Sequence, residues 1–337
     1  MAYLLGTDEA GYGPNLGPLV IAATLWRVPD DLLLGDASDD LPGNSSADIA
    51  QLDHQLDERL AGFIRRSPAA GPGRIVVADS KALYKRGSGL RWLEQGVLPA
   101  LHALGRPAAD WDSLWSAFSA CTPDEMAAPW HEEFRLAVPV DLPLAETVDM
   151  ARVWSELAER TGVELVDFRA RAIFPAAFNT AVSALGNKAT LLSTATLELA
   201  RSLMAPLENT AIGLYCDKHG GRNRYAALLQ DAFAADWVQV LRESRSASVY
   251  QLGPPERRIT ARFAAGGESF LPSALASMAC KYLREVAMLA FNAFWQQQLP
   301  QLKPTAGYPV DAQRFYGEIS SRLGELAIPR DQIWRSR

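Results

Sequence analysis

Cysteine is scarce in this sequence, and its three copies lie far apart at Cys121, Cys216 and Cys280. Their spacing is not that of a metal site, and their odd number favours a reducing, cytoplasmic location. No apolar run approaches the roughly 20 residues that a membrane-spanning helix needs. The first residues lack a basic stretch followed by an apolar one, so we expect neither a signal peptide nor a membrane partner.

Positive charge is also in short supply, since 33 Lys and Arg face 39 Asp and Glu for a net charge of −6. This balance argues against a protein that coats nucleic acid by charge alone. It is compatible with an enzyme that has a local basic groove around an acidic metal site. With 48% hydrophobic and 21% charged residues, the composition is that of an ordinary soluble globular protein.

Residues 6–14 read Gly-Thr-Asp-Glu-Ala-Gly-Tyr-Gly-Pro between two apolar segments, which predicts a strand, a tight turn and a second strand. Neighbouring side chains of a strand point to opposite faces. Asp8 and Glu9 therefore converge only if the chain bends at that point, and Gly11 and Gly13 permit such a bend. A hairpin with solvated acids at its tip is the alternative interpretation.

Two irregular stretches interrupt an alternation of apolar strands and helices. We interpret residues 28–73 as one insertion, with a helix over 46–66, and residues 105–160 as a second, less regular insertion. The alternation predicts an α/β core built from residues 1–27, 74–104 and 161–300, followed by a helical C-terminal segment, 301–337. Core strands are predicted at 163–174, 210–216, 238–241, 249–252 and 257–263, and helices at 90–104, 188–203, 225–233 and 273–295.

Acidic residues follow several predicted strands. Asp8 and Glu9, Asp79, and Asp217 stand at strand ends, and Glu268 stands just before the long helix. Hard divalent cations prefer carboxylate oxygens, and two such ions can clamp the attacking water and the leaving oxygen of a phosphodiester. The alternative is that these acids are solvated loop residues.

The motifs resemble those of the ribonuclease HII family and occur in that family's order. The opening stretch is similar to Asp-Glu-Ala-Gly-Arg-Gly-Pro, and residues 79–81 are similar to Asp-Ser-Lys-Lys. Asp217 takes the place of the third catalytic acid. The run from Gly267-Glu268-Ser269 through residues 276–285 resembles Gly-Asp-Ser followed by Ala-Ser-Ile-x-Ala-Lys-Val-x-Arg-Asp, and Gly307-Tyr308 resembles the late Gly-Tyr motif.

The resemblance implies an RNase H-like fold, which is a mixed β-sheet flanked by helices, here with a helical C-terminal portion. It implies a metal-dependent endonuclease that hydrolyses the RNA strand of RNA–DNA hybrids, or a ribonucleotide-containing duplex, through a two-metal site for Mg²⁺ or Mn²⁺. The implied catalytic and metal-binding residues are Asp8, Glu9, Asp217 and Glu268. The implied nucleic-acid-binding residues are Gly11, Tyr12, Gly13, Ser80, Lys81, Lys281 and Tyr308.

The sequence departs from the family pattern at several nucleic-acid contacts. Tyr12 replaces an arginine, Glu268 an aspartate, and Ala82 and Ala306 each a lysine. Two alternatives therefore stand beside the hybrid nuclease: a non-catalytic nucleic-acid-binding or assembly protein on the same fold, and a nuclease with an altered substrate. Beside Asp217, His219 is either a proton-transfer group or a simple loop histidine. The basic residues that follow it are either a nucleic-acid groove or an ordinary charged surface.

Overall fold

The computed structural model describes residues 1–32, 46–68, 73–85 and 87–336, without the side chains of residues 46–48 and Glu268. Part of the predicted insertion 28–73 lies outside these ranges. The strands in the described ranges are β1 (Ala2–Ala10), β2 (Leu19–Val28), β3 (Ile64–Arg65), β4 (Ile75–Val76), β5 (Glu164–Ile173), β6 (Ile212–Asp217), β7 (Gln239–Glu243), β8 (Ala247–Leu252) and β9 (Ile259–Ala264). The α-helices there are α1 (Ser46–Leu60), α2 (Ser80–Leu83), α3 (Arg91–Ala103), α4 (Trp111–Phe118), α5 (Pro129–Glu132), α6 (Leu144–Thr161), α7 (Pro175–Leu185), α8 (Lys188–Met204), α9 (Ala226–Ala232), α10 (Leu271–Gln298) and α11 (Pro309–Glu325).

The main sheet has the strand order β5-β2-β1-β6-β9-β8-β7. Strand β2 runs antiparallel to both β1 and β5. Strand β6 runs parallel to β1 on one side and to β9 on the other. Strand β8 is antiparallel to both β9 and β7. The sheet is therefore mixed, with its three parallel strands side by side near the centre.

Helices cover both faces of the sheet. Leu4 belongs to the core shared with α3 and α10, whereas Leu5 belongs to the core shared with α8 and α9. A strand covered on both faces is apolar at successive positions, and β2 is accordingly buried along nearly its whole length. These layers confirm the predicted fold class, α/β with a mixed sheet flanked by helices and a helical C-terminal portion.

The start of α10 lies directly against β1 and β2. A Cβ atom at Gly6 would fall 2.3 Å from the backbone nitrogen of Ser273, so only glycine allows this approach. The Thr24 hydroxyl donates a hydrogen bond of 2.7 Å to the Pro272 carbonyl. These contacts place the residues that precede α10 beside the carboxyl ends of the central strands.

The second predicted insertion is more regular than expected. Residues 105–160 contain α4, α5 and most of α6, which is 18 residues long. Met150, Trp154 and Leu157 are buried on one face of α6, at the spacing of a helix that packs against a core. The expectation of an irregular segment was wrong because this periodic signal was outweighed by the surrounding prolines and acids.

One buried carboxylate joins this insertion to the core. Glu94 on α3 is fully buried. Its Oε1 accepts hydrogen bonds from the backbone nitrogen of Val140 at 2.5 Å and from the Tyr282 hydroxyl at 3.0 Å. Its Oε2 accepts from the nitrogens of Asp141 and Leu142, each at 2.8 Å. All four acceptor positions of the carboxylate are therefore used, as burial of a charged group requires.

The C-terminal helix α11 adds a third apolar cluster. Phe315 and Ile319 of α11 pack with Phe291 and Trp295 of α10. Within the described ranges, none of the helices combines the length and apolar character that crossing a bilayer demands.

Candidate functional site

Two of the predicted acids stand at the carboxyl ends of neighbouring central strands. Asp8 lies near the end of β1, and Asp217 is the last residue of β6. The parallel pairing of these strands matches Gly6 with Tyr215. Extending that register by two residues sets Asp8 level with Asp217, on strands that are about 4.8 Å apart. Both side chains therefore belong to the sheet face covered by α10.

Glu9 belongs to the opposite face. Strand β1 pairs regularly with β2 through Ala10, so the chain does not bend at Asp8 and Glu9 as the sequence had suggested. The bend follows at Gly11, whose φ is +89°. A Cβ atom there would fall 2.5 Å from the Pro18 carbonyl oxygen, so the turn requires glycine.

The carboxylates of Asp8, Glu9 and Asp217 nevertheless all influence the pKa of one buried side chain, Cys216. Burial, opposed by a hydrogen bond with Thr7 and aided by the negative charges of Glu9, Asp217 and Asp8, raises the pKa of the Cys216 thiol to about 12. A thiol that senses all three acids lies within electrostatic reach of each. Negative charge is thus concentrated at this edge of the sheet, and such a concentration favours a bound cation.

The fourth predicted acid follows β9. The backbone of Glu268 lies in a single 3-10 turn, Gly267–Ser269, between β9 and α10. Its side chain lies outside the part of the chain that the structure describes. The Gly266 nitrogen donates a hydrogen bond of 3.1 Å to Asp217 Oδ1. This contact holds the turn against the end of β6.

The donor set fits a hard divalent cation by its chemistry. The described residues contain no preformed group of three or more His, Cys, Asp and Glu side chains that could hold a metal ion. Mg²⁺ in nucleases, however, is usually bound by one or two carboxylates together with water and substrate phosphate oxygens. Asp8 and Asp217, at the ends of adjacent parallel strands, supply two carboxylates of the type that one such ion needs.

A lysine that the sequence did not reveal stands beside Tyr12. The Nζ atom of Lys188 lies 4.5 Å from the centre of the Tyr12 ring, within cation–π range. Burial raises the pKa of Tyr12, the charge of Glu9 raises it further, and Arg222 opposes both. A positive charge from α8 therefore lies beside Tyr12, although the two residues are 176 positions apart in the sequence. Next to it, Gly13 is exposed and open to solvent.

Two buried arginines fix the loop of residues 11–17. Arg335 Nη2 donates hydrogen bonds to the Gly11 carbonyl, at 2.6 Å, and to the Pro14 carbonyl. Arg284 Nη2 donates to the carbonyl of Ala306 at 2.8 Å, just before Tyr308. Burial, together with the charge of Arg284, lowers the pKa of Arg335 to about 9. The glycine loop and the Gly307-Tyr308 segment are thereby held in one rigid unit.

A second group of predicted nucleic-acid residues surrounds a cavity of about 380 Å³. Lys281 and Tyr308 line it together with Tyr84. Lys281 Nζ lies 2.6 Å from Glu285 Oε1 and 4.6 Å from the centre of the Tyr84 ring. Tyr308 is 56% exposed and free to stack on a ligand from one side. This cavity combines aromatic surface with a balanced charge pair.

Within the motif of residues 79–81, the side chains of Asp79 and Ser80 stabilise the local structure around α2. The Asp79 carboxylate caps α2 by accepting from the Lys81 nitrogen at 3.1 Å. Ser80 is buried and accepts a hydrogen bond of 2.9 Å from the Ser277 hydroxyl on α10. Lys81 is exposed. Of this motif, only Lys81 is therefore accessible to a ligand from solvent.

The basic residues between Asp217 and Glu268 separate into two groups. Arg224, Arg242 and Arg245 are exposed at the edge of the sheet that carries Asp217. Arg257 lies at the other end of the sheet, where its guanidinium is 3.2 Å from Asp236. Arg262 is buried. The first group, together with the half-buried Lys218 and Arg222 directly after Asp217, lies beside the acids.

His219 is a buried histidine and not a proton-transfer group. Its ring is 1% exposed, and Nδ1 lies 3.1 Å from the Ser193 hydroxyl. Burial, with a smaller contribution from the charge of Arg222, lowers its pKa to about 3. It stays neutral near physiological pH and has no access to solvent.

Solved structures with low similarity to this chain include several RNase H proteins. The ribonuclease H2 from Pyrococcus horikoshii OT3 aligns with a TM-score of 0.38 and 13% identity over 98% of this chain and 92% of that chain. RNase HII from Archaeoglobus fulgidus, solved in a PCNA:RNase HII complex, gives 0.39 and 13% over 99% and 94%. Bst-RNase HIII, solved in complex with Mn²⁺, gives 0.38 and 13% over 99% and 66%. No protein-family profile and no curated protein matches the sequence. At these scores the alignments carry no conclusion about activity, and the fold class rests on the strand order.

Proposed function

We propose that this protein is a metal-dependent endonuclease that hydrolyses the RNA strand of RNA–DNA hybrids in the cytoplasm. The observation that supports the proposal is the parallel pairing of β1 with β6 through Gly6 and Tyr215, with Asp8 and Asp217 following near the ends of the two strands. Asp8, Glu9, Asp217 and Glu268 are the proposed ligands of two Mg²⁺ or Mn²⁺ ions, with Glu9 proposed to reach them from the opposite face of β1. When bound, such ions lower the pKa of the attacking water and neutralise charge on the scissile phosphate.

The loop of residues 11–17 is proposed to bind the ribose at the cleavage site. Gly13 is exposed with open space around it, so a sugar–phosphate backbone can approach its main chain. Backbone groups there can bond the 2′-hydroxyl, which distinguishes RNA from DNA. The Lys188 ammonium on the Tyr12 ring supplies the positive charge for a neighbouring phosphate.

Two further surfaces are proposed to contact the rest of the duplex. The half-exposed Tyr308 ring offers a stacking face for a sugar or base beside the cavity that Lys281 lines. The exposed side chains of Arg224, Arg242 and Arg245 flank the acids and suit phosphate contacts. Because the net charge is negative, we expect binding to depend on these local groups and to weaken with salt.

Hydrolysis of a labelled RNA–DNA hybrid with Mg²⁺ or Mn²⁺ tests the proposal. We expect the wild-type chain to cut the RNA strand and leave 5′-phosphate ends. Asp8→Asn and Asp217→Asn should each abolish cleavage while retaining hybrid binding. Asp149→Asn, at an exposed position of α6 paired only with Arg152, is the matched control and should cut normally.

The alternatives give different results in the same assay. Wild-type protein that binds the hybrid tightly but never cuts it, and whose binding is unchanged by Asp8→Asn and Asp217→Asn, is a non-catalytic binding protein. Cleavage of single-stranded RNA or of DNA in preference to the hybrid identifies a nuclease with an altered substrate. Either outcome overturns the hybrid-specific proposal.

A further inference from the structure

The turn that carries Glu268 is anchored on both sides by carboxylates. On its N-terminal side, the Gly266 nitrogen donates to Asp217 Oδ1 at 3.1 Å. On its C-terminal side, the Leu271 nitrogen donates to Asp53 Oδ1, also at 3.1 Å. Asp217 belongs to the core, but Asp53 lies on α1, within the predicted insertion 28–73. The insertion thus contacts the backbone three residues after Glu268.

Helix α10 has no cap of its own. The first N–H groups of a helix lack partners inside the helix and need an outside acceptor. The N-cap residue is Phe270, which has no polar side chain, and no side-chain cap bond is formed there. The Asp53 carboxylate supplies the missing acceptor for Leu271, and its charge is favoured at the positive end of the helix dipole.

Asp53 is itself held in place. Its Oδ1 lies 2.8 Å from Arg66 Nη2, and Arg66 Nε lies 2.8 Å from Asp57 Oδ1. Leu52 and Leu56 of α1 are buried in the core beside it. Between α1 and the turn, a cavity of about 560 Å³ is bordered by Asp53, Gly266 and Gly267 among others. The Asp53–Leu271 hydrogen bond therefore lies at the border of this cavity, where α1 faces the turn.

We propose that Asp53 is a positioning residue that fixes the backbone of Gly267–Ser269, and hence Glu268, for metal binding. The first insertion then contributes to the active centre by positioning one of its proposed metal ligands. This inference rests on the proposed function, because it assigns Glu268 to the metal site. It predicts that weakening the Asp53–Leu271 hydrogen bond lowers metal affinity without changing the ligands.

The full chain and three variants test this inference. Asp53→Ala removes the acceptor, and Asp53→Asn retains one oxygen that can accept from Leu271. Glu58→Ala is the matched control, because Glu58 is an exposed acid of the same helix and pairs with His54, apart from Arg66. The readouts are the Mn²⁺ dissociation constant by calorimetry without nucleic acid, amide exchange in residues 265–271, and hybrid cleavage against Mn²⁺ concentration. Thermal melting verifies that each variant is folded.

We expect Asp53→Ala to raise the Mn²⁺ dissociation constant about tenfold, the lower end of effects seen for residues that orient metal ligands. Exchange in residues 265–271 should accelerate, and cleavage should need correspondingly more Mn²⁺. Asp53→Asn should recover most of the affinity, and Glu58→Ala should match the wild type. If Asp53→Ala does not fold, Asp53→Asn carries the test, with a smaller loss of affinity and faster exchange at Leu271 expected.

Two failures are distinguishable. A wild-type chain that binds Mn²⁺ and cuts the hybrid, with Asp53→Ala unchanged in Mn²⁺ affinity and amide exchange, overturns the positioning role alone. A wild-type chain that neither binds Mn²⁺ nor cuts the hybrid overturns the proposed function and, with it, the role of Asp53 in metal binding.

Discussion

Replacement of Glu94 by glutamine is the sharpest test of how residues 140–142 are attached to the core. The Glu94 carboxylate receives four donors and lies in a fully buried site. Glutamine has nearly the same shape, but one of its two terminal atoms is an NH₂ group that only donates. Two of the four donors therefore face another donor and lose their partner, whichever way the amide is turned.

The expected loss of stability follows from that count. Each buried donor left without a partner costs about 1–3 kcal/mol. Two such donors give a loss of roughly 2–6 kcal/mol, a large part of the roughly 5–15 kcal/mol that stabilises a typical domain. Urea denaturation followed by tryptophan fluorescence measures it, because Trp111, Trp115 and Trp154 lie in the same core cluster.

The matched control is Glu156→Gln, at an exposed position of α6. This change should alter the unfolding free energy by less than about 0.5 kcal/mol. If Glu94→Gln were as stable as Glu156→Gln, the four hydrogen bonds would not be what retains residues 140–142. The account of this buried carboxylate would then be refuted.

Three further predictions concern the candidate site and its surroundings. Lys188→Ala should weaken hybrid binding and lower the slope of log affinity against log salt by about 1, whereas Lys188→Arg should preserve both. Arg335→Ala should weaken hybrid binding about tenfold or more, with a partial loss in Arg335→Lys, because each hydrogen bond from a charged donor is worth about 1.5–3 kcal/mol; Arg322→Ala, at an exposed position, should have no effect. Burial lowers the pKa of His131 from 6.5 to about 4, despite its bond to a backbone carbonyl. The unfolded chain therefore binds more protons between pH 6.5 and 4, so the unfolding free energy should fall by up to about 3 kcal/mol as the pH drops through that range. His131→Asn should flatten this dependence in urea titrations, and His54→Gln, at an exposed position, should leave it unchanged.

The fold was largely predictable because its central elements have strong local signals. The apolar run before Asp217 and the long periodic helix after Glu268 are observed as β6 and α10 within a few residues of their predicted bounds. Helix α7 was missed, since its Ala-rich sequence after Pro175 shows little contrast between its faces. Local patterns identify an element when one of its faces, or its whole length, is distinctly apolar.

The candidate site was predictable only in part. The order of motifs associated Asp8 with Asp217, and these residues lie near the ends of two strands that pair in parallel. Lys188, Arg335 and Asp53 carried no signal, because each acts on a residue far from it in the sequence. Such contacts depend on how helices and loops pack, which no spacing of residue types along the chain encodes.

The hydrogen bond between Arg335 and Gly11 can form only after nearly the whole chain has been synthesised. These residues are separated by 324 positions, and a ribosome adds about 5–20 residues per second, so roughly 16–65 s pass between their synthesis. During that interval β1 and β2 can form their hairpin, but the loop between them has no guanidinium to fix its carbonyls. Nascent chains therefore pass most of their synthesis before Arg335 can fix the loop of residues 11–17. The ordered conformation of this loop is a late property of the folded molecule.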